Sequence, residues 1–256
     1  MIFYFSGTGN SLYAAKKIAA AIDDCRLEPL TGYLKHPYEV TDKIVGLVCP
    51  VYCFGLPPIV EDFVRRLQAA PCYIFGVVTM GGTQGRALGQ LGSLLAEKGL
   101  RLGYGRTVIM PDNFMVKITK NQDKVLAAAE EKLKSIATDV GQCRSFTDEI
   151  SDGWLARSLL QPVGWWFLKD VLRVEQIFEY SSRCVGCGIC EQVCPVGNIK
   201  MSGKTPVFGK NCAHCFACKH WCPQHAIRIG GMKSQIDKSY TNPNINIKEI
   251  MHQEGK

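Results

Sequence analysis

The first 140 or so residues alternate between short unbroken apolar runs and stretches with helical spacing. The runs are Met1–Phe5, Lys43–Val48 and Tyr73–Thr79, and Arg106–Met110 closes the sheet. Continuous apolar character over so few residues predicts strands covered on both faces, as in a parallel sheet sandwiched by helices. Between the runs, Leu12, Ala15, Ile18, Ala19 and Ile22 recur at helical intervals. Val60, Phe63, Val64 and Leu67 do the same, as do Leu88, Leu91, Leu94 and Leu95 within 86–98. A further helix is expected over 121–139 and a short edge strand over 27–31. Strand and helix in alternation predict an α/β fold with a doubly wound parallel sheet.

Such sheets bind ligands outside the carboxyl ends of their strands, so the loops there hold the candidate chemistry. Ser6-Gly7-Thr8-Gly9-Asn10-Ser11 follows the first run directly and opens a helix. Free amides and the positive end of the helix dipole suit a phosphate, and the two glycines let the backbone close around it. A lysine after the glycines is missing, and so is G-x-G-x-x-G spacing, so neither a nucleoside triphosphate nor a dinucleotide is expected. The loop Cys49–Pro57 offers Tyr52 and Phe54 as stacking rings. The loop Met80–Gly85 offers backbone amides, and Pro111-Asp112-Asn113-Phe114 follows the last run. Taken alone, these loops also read as ordinary turns, caps and loop packing.

The carboxyl-terminal third follows a different rule. Cys184, Cys187, Cys190 and Cys194 precede Pro195; Cys212, Cys215, Cys218 and Cys222 precede Pro223. Each run reads C-x2-C-x2-C-x3-C-P, the pattern that holds [4Fe–4S] cubes in two-cluster bacterial ferredoxins. Three thiolates from one tight loop can wrap a cube, and in that arrangement the fourth Cys of each run serves the other cube. The expected sets are therefore Cys184, Cys187, Cys190 with Cys222, and Cys212, Cys215, Cys218 with Cys194. The runs recur 28 residues apart, and apolar residues follow each proline (Val196 and Ile199; Ala226 and Ile227), which reads as a duplication. Gly186 and Gly188 allow close backbone approach to sulfide. Zinc would need four cysteines, not eight with two prolines, and disulfides suit a secreted chain, for which no leader is read here. The remaining Cys25, Cys49, Cys53, Cys72 and Cys143 show no ligand spacing and read as buried small hydrophobes. Cysteine used in this way predicts a reducing cytoplasm.

With a Ser-Gly-Thr-Gly-Asn-Ser loop after the first strand and two ferredoxin runs in one polypeptide, the chain resembles the ferrodoxin family of flavodoxin–ferredoxin fusion proteins. The resemblance covers 1–140 and 180–230 and implies a flavodoxin-like sheet of order 2-1-3-4-5 followed by a small α+β two-cluster ferredoxin-like domain. It implies FMN, with phosphate at Ser6, Gly7, Thr8, Gly9, Asn10 and Ser11. It implies flavin-ring contacts from Pro50, Val51, Tyr52, Phe54, Gly55, Gly81, Gly82, Asn113 and Phe114. The expected organisation is 1–143 flavodoxin-like, 144–180 connector, 181–230 ferredoxin domain and 231–256 polar tail.

Charge alters little in this picture. The formal net charge is +7, but it is spread along the chain. Two oxidised cubes at about −2 each and a phosphate at about −2 bring the loaded protein near neutral. Nucleic acid is accordingly not expected as a partner. Residues 144–183 include Trp154, Trp165 and Trp166 among charged positions, too few and too polar for a bilayer span. They read as a helical connector, a membrane-surface helix, or a wall for a substrate or partner. In the tail, Tyr240, Pro243 and Ile245 are candidate anchors. The function expected is electron transfer between two [4Fe–4S] clusters and FMN, exchanging with a redox protein or enzyme. The alternative is a flavin reductase for a small organic acceptor such as a quinone, nitro compound or tetrapyrrole, with Tyr52 or a histidine as proton donor. A structural or regulatory iron–sulfur protein leaves the flavin site without a use. His214, His220 and His225 fall among the cysteines and are read as cluster neighbours.

Overall fold

The computed structural model describes residues 1–34, 38–70, 72–113, 119–148, 163–164, 166, 178–229 and 239–251. Its larger lobe is built on six strands: β1 (Ile2–Tyr4), β2 (Leu27–Pro29), β3 (Ile44–Pro50), β4 (Tyr73–Met80), β5 (Leu102–Ile109) and β6 (Phe146–Thr147). They lie in the order β2-β1-β3-β4-β5-β6, and every pairing is parallel. β5 starts four residues before the expected Arg106. β6 was not expected and extends the sheet past residue 143; the Thr107 N–H donates to Asp148 Oδ2 at 2.7 Å just beyond it.

Alternation along the strands explains the unbroken apolar runs. Ile2, Tyr4, Val48, Phe75 and Val77 face one layer, formed with α1 (Asn10–Ala19) and α4 (Gln122–Gly141). Phe3, Phe5, Val45, Leu47, Cys49, Ile74 and Val78 face the other, formed with α2 (Pro58–Arg66) and α3 (Ala87–Ala96). Both faces are buried, so polar positions are few: Arg106 and Thr107 of β5, which meet Asp148, and Thr79 at the end of β4. Each fully buried Phe, Leu or Ile contributes on the order of 1.5–3 kcal/mol.

Of the cysteines read as buried, Cys49 is; Cys25, Cys53 and Cys72 are half-buried, and Cys143 is exposed at the end of α4, which corrects the reading there. Burial pushes the Cys49 thiol up to about 12, from an ordinary value of 9.0. Above pH 9 the unfolded chain gains from ionising this thiol and the native one does not. Native stability therefore falls as pH rises from about 9 to about 12, by about 1.4 kcal/mol per unit. Cys49→Ala, less stable than wild type at pH 8, should close that gap and pass it by pH 11 in anaerobic thermal melts.

The smaller lobe spans 178–229. Strand Phe178–Tyr180 pairs antiparallel with Ile227–Ile229, and Ile199–Ser202 with Thr205–Phe208. One-turn helices occupy Ile189–Gln192 and Ala217–His220. The duplication shows in the backbone: Gly186, Gly188 and Gly197 have φ of 70°, 76° and 61°, and their counterparts 28 residues on, His214, Phe216 and His225, have 55°, 54° and 46°. The second half thus holds side chains where the first uses glycine, at a cost of about 1–2 kcal/mol each. The same offset relates Asn198 to Ala226, whose N–H groups donate to Cys194 Sγ (3.2 Å) and Cys222 Sγ (3.3 Å). Ile199 and Ile227 correspond and are both buried. Val196 corresponds to Gln224 rather than to Ala226, a correction to the apolar pairing.

Candidate functional site

The carboxyl ends of β1, β3, β4 and β5 bring their loops to one edge. The phosphate-type loop lies at the centre, with Ser6, Thr8, Asn10 and Ser11 all buried. The Gly9 N–H donates to Ser6 Oγ at 3.1 Å, and Gly9 itself has φ 98°. Ser11 Oγ and Thr79 Oγ1 share a hydrogen bond of 2.8 Å, tying α1 to the end of β4. Asn10 Nδ2 donates to the Pro111 carbonyl (3.2 Å), and Asn113 Nδ2 donates to Thr8 Oγ1. The N–H groups of Asn10, Ser11 and Leu12, at the start of α1, have no hydrogen-bond partner among the described residues. They are the orphan donors that a helix start offers an anion.

Around this loop, Val51 N–H donates to the Thr79 carbonyl, and Pro50 ends β3. Tyr52 and Gly55 exchange two backbone hydrogen bonds of 2.9 Å across Cys53 (φ 45°) and Phe54 (φ 62°). Two non-glycine residues in the left-handed region make a strained turn, and strain of this kind gathers at ligand sites. The turn leaves Phe54 37% exposed. A Cβ on Gly85 would stand 2.1 Å from the Phe54 carbonyl oxygen, so only glycine lets the β4 loop close on the turn. A Cβ on Gly81 would stand 2.7 Å from Asp112 Cβ, whereas Gly82 faces open space. Phe114 lies outside the described residues. So does most of the tryptophan-rich segment, including Trp154 and Trp165; of its described residues, Gly164 lies against Cys53 and Trp166 is 57% exposed.

The eight motif cysteines fall into two groups. Cys184, Cys187, Cys190 and Cys222 line one hollow, together with Gly186, Gly188 and Pro223. Burial and the neighbouring Cys184, Cys187 and Cys222 push the Cys190 thiol up to about 11. Cys218 is raised well above its ordinary value, by burial first and then by Cys215, Cys212, Cys194 and Cys190. Without iron these thiols keep their protons, which cluster assembly must release. Among the described residues no three His, Cys, Asp or Glu side chains converge as a single metal ion requires. Four thiols spread around a hollow fit the larger cube.

The two lobes meet at the phosphate-type loop. A Cβ on Gly7 would stand 2.4 Å from the Cys215 carbonyl oxygen, and Trp221 Nε1–H donates to the Gly7 carbonyl at 2.9 Å. Tyr52 holds its proton: burial raises its hydroxyl well above the ordinary value, with Cys215, Cys212 and Cys49 adding to it. The polar tail also enters. Tyr240 OH donates to Asn10 Oδ1 (2.7 Å), as does Asn242 Nδ2 (3.0 Å), and Asn242 N–H donates to the Thr8 carbonyl (2.8 Å). Tyr240 and Ile245 are buried anchors, but Pro243 is exposed. His220 is held neutral by burial, which lowers it to about 3; its Nδ1 accepts the Tyr240 N–H at 3.1 Å. The sequence reading missed Trp221 and Asn242. Their signals were slight: a tryptophan inside a cysteine run, and an Asn-Pro-Asn turn.

A separate groove of about 400 Å³ lies between α2 and α3, lined by Glu61, Arg65, Arg86 and Glu97 among others. It shares no residue with the loops above. Among the described residues no helix is long and apolar enough to cross a membrane.

Comparison with known proteins gives the following. No curated protein matches the chain. Among solved structures, it is similar to an FMN-dependent NADH-azoreductase from Bacillus anthracis in complex with FMN (10% identity, TM-score 0.39, covering 55% of this chain and 98% of that one). It is similar to the Trp repressor binding protein from Bacillus subtilis (13%, 0.36, 55% and 97%). It is also similar to rubredoxin oxygen:oxidoreductase from Desulfovibrio gigas (19%, 0.35, 55% and 34%). Residues 179–200, which include the whole first cysteine run, match the family described as 4Fe-4S binding domain, so the smaller lobe carries an iron–sulfur binding segment.

Proposed function

We propose that the chain is an electron-transfer flavoprotein that binds FMN at the loop edge of the larger lobe and two [4Fe–4S] clusters in the smaller. The observation that carries this reading is the junction itself. The orphan amides at the start of α1 belong to a loop that touches Cys215 of the second cysteine run. When bound, FMN supplies one- and two-electron chemistry and each cube supplies one-electron chemistry. The Asn10, Ser11 and Leu12 amides would hold the phosphate. Cys184, Cys187, Cys190 and Cys222 would hold one cube, and Cys194, Cys212, Cys215 and Cys218 the other. N–H···S bonds from Asn198, His214 and Ala226 would tune the cubes, since such bonds set potential. In this reading the chain is a carrier or one-to-two-electron converter for a redox protein or enzyme.

The open space beside Gly82 favours one second reading, in which a small organic acceptor is reduced at the flavin. Anaerobic purification with iron, sulfide and FMN quantified tests the proposal; about eight iron per flavin is expected. Stopped-flow reoxidation by a panel of acceptors separates the readings. Saturable turnover of one acceptor selects the reductase, and uniform slow reaction selects the carrier.

Phe54 tests the flavin site by itself. Phe54→Ala should weaken FMN binding by roughly 2- to 12-fold, the value of one stacking ring, and leave the iron content unchanged. Fluorescence titration of the flavin-stripped protein measures it.

A further inference from the structure

The two cysteine sets are not equivalent. The set of Cys184, Cys187, Cys190 and Cys222 opens outward: Cys187 is exposed, and Val185 beside it is 59% exposed. The set of Cys194, Cys212, Cys215 and Cys218 is walled by the larger lobe. Cys215 packs against both apolar layers of the sheet, and Ala213 against the layer of α2 and α3. Ala217 and Trp221 join the layer of α1 and α4. From this second run, Cys215 fills the space beside Gly7 and Trp221 binds its carbonyl. The helix Ala217–His220 also reaches the loop indirectly, through His220 to Tyr240 and from Tyr240 to Asn10.

We infer that the inner cysteine set and the phosphate-type loop share one wall, so that filling the inner iron–sulfur site tightens flavin binding while filling the outer one does not. The inference rests on the proposed function and adds to it a coupling between two sites. The physical basis is that the loop Ala213–Trp221 is a common boundary. Four thiolates closing on a cube fix this loop, and the fixed loop presents the Cys215 backbone and the Trp221 indole to Gly7. Without that cube the loop loses its central tie, and the Gly7–Asn10 segment must be ordered by the flavin phosphate alone. Such linkage is reciprocal, so bound flavin should also slow iron loss from the inner set.

The test compares Cys187→Ala and Cys212→Ala in the full chain, reconstituted anaerobically with iron and sulfide, by FMN titration followed through flavin fluorescence. Cys212→Ala should weaken FMN binding roughly tenfold or more, within the usual range of coupling between sites, and Cys187→Ala should match wild type. Equal affinities in the two variants, or a loss confined to Cys187→Ala, overturn the inference while leaving the proposed function intact. A wild-type protein with full iron and no affinity for FMN overturns the proposed function instead. Because Cys212→Ala could unfold the smaller lobe, Trp221→Phe supplies a second reading. It removes the indole N–H donor and no thiol, and should keep full iron while weakening FMN binding roughly fivefold, the value of one net hydrogen bond. Unchanged affinity in Trp221→Phe, with iron intact, also overturns the inference.

Discussion

Cys194→Ala should lose about half of the bound iron and much of the flavin, whereas Cys222→Ala should lose about half of the iron and keep the flavin. The contrast looks inverted from the sequence, because Cys194 belongs to the first run and Cys222 to the second, whose loop touches the larger lobe. It follows if the two runs cross as proposed. Cys194 acts electrostatically on Cys215 and Cys218, and Cys222 on Cys190. In the proposed sets each variant removes one of four ligands from the opposite set, and a [4Fe–4S] cube wants all four. The effect should be large. Metal ligation adds to the small core of a lobe of about fifty residues, so the set that loses a ligand should empty while the other keeps its four. That core is centred on Cys190, Cys194, Cys218, Ile199 and Ile227, so three of its buried members are themselves motif cysteines. Iron and sulfide assays with flavin fluorescence on anaerobic samples measure the outcome. Flavin lost from Cys222→Ala and kept in Cys194→Ala would mean that the runs do not cross.

Periodicity carried the larger lobe because both faces of its sheet are buried, and a strand covered on both sides leaves few positions for a polar residue. It failed where a strand is short and exposed: Phe146 and Thr147 of β6 leave no apolar signature, and their pairing with β5 depends on a neighbour far away in the chain. The cysteine spacing made an iron–sulfur segment legible over 179–200, because ligation fixes residue type and interval together. The union of the lobes was not legible. Trp221, Tyr240 and Asn242 reach the phosphate-type loop from more than 200 residues away, through hydrogen bonds to Gly7, Thr8 and Asn10. Long-range polar contacts of this sort have no period and no spacing rule. The tail 231–256 read as polar with Tyr240, Pro243 and Ile245 as candidate anchors, and 239–251 packs on α1, where Ile250 is buried and Lys16 pairs with Glu249. Its anchoring residues are single apolar and amide side chains among charges, which composition averages away. Left-handed backbone at His214, Phe216 and His225 was equally hidden, since only glycine advertises that conformation.

Gly7→Ala should be the most damaging single methyl group that can be added where the two lobes meet. Its Cβ would stand 2.4 Å from the Cys215 carbonyl oxygen and 3.2 Å from Cys215 Cβ. A clash with a flexible side-chain end is relieved by rotation; a backbone carbonyl in a loop fixed by cluster ligands has no rotation to make. Either the phosphate-type loop shifts toward the flavin or the second cysteine loop backs away. Both routes break the Trp221 hydrogen bond to the Gly7 carbonyl. Overpacking costs about 1–3 kcal/mol and the lost bond about 1 kcal/mol, which together weaken FMN binding by roughly 30- to 1000-fold. The two routes differ in a second observable. If the cysteine loop retreats, the inner cube becomes accessible and chelators strip it faster than in wild type; if the phosphate-type loop shifts, iron loss is unchanged. Gly92→Ala, in α3 and outside these loops, is the control, because a Cβ there meets nothing within 4 Å and FMN affinity should stay within about twofold. Wild-type affinity in Gly7→Ala would mean that the lobes do not press together at this point when the cofactors are bound.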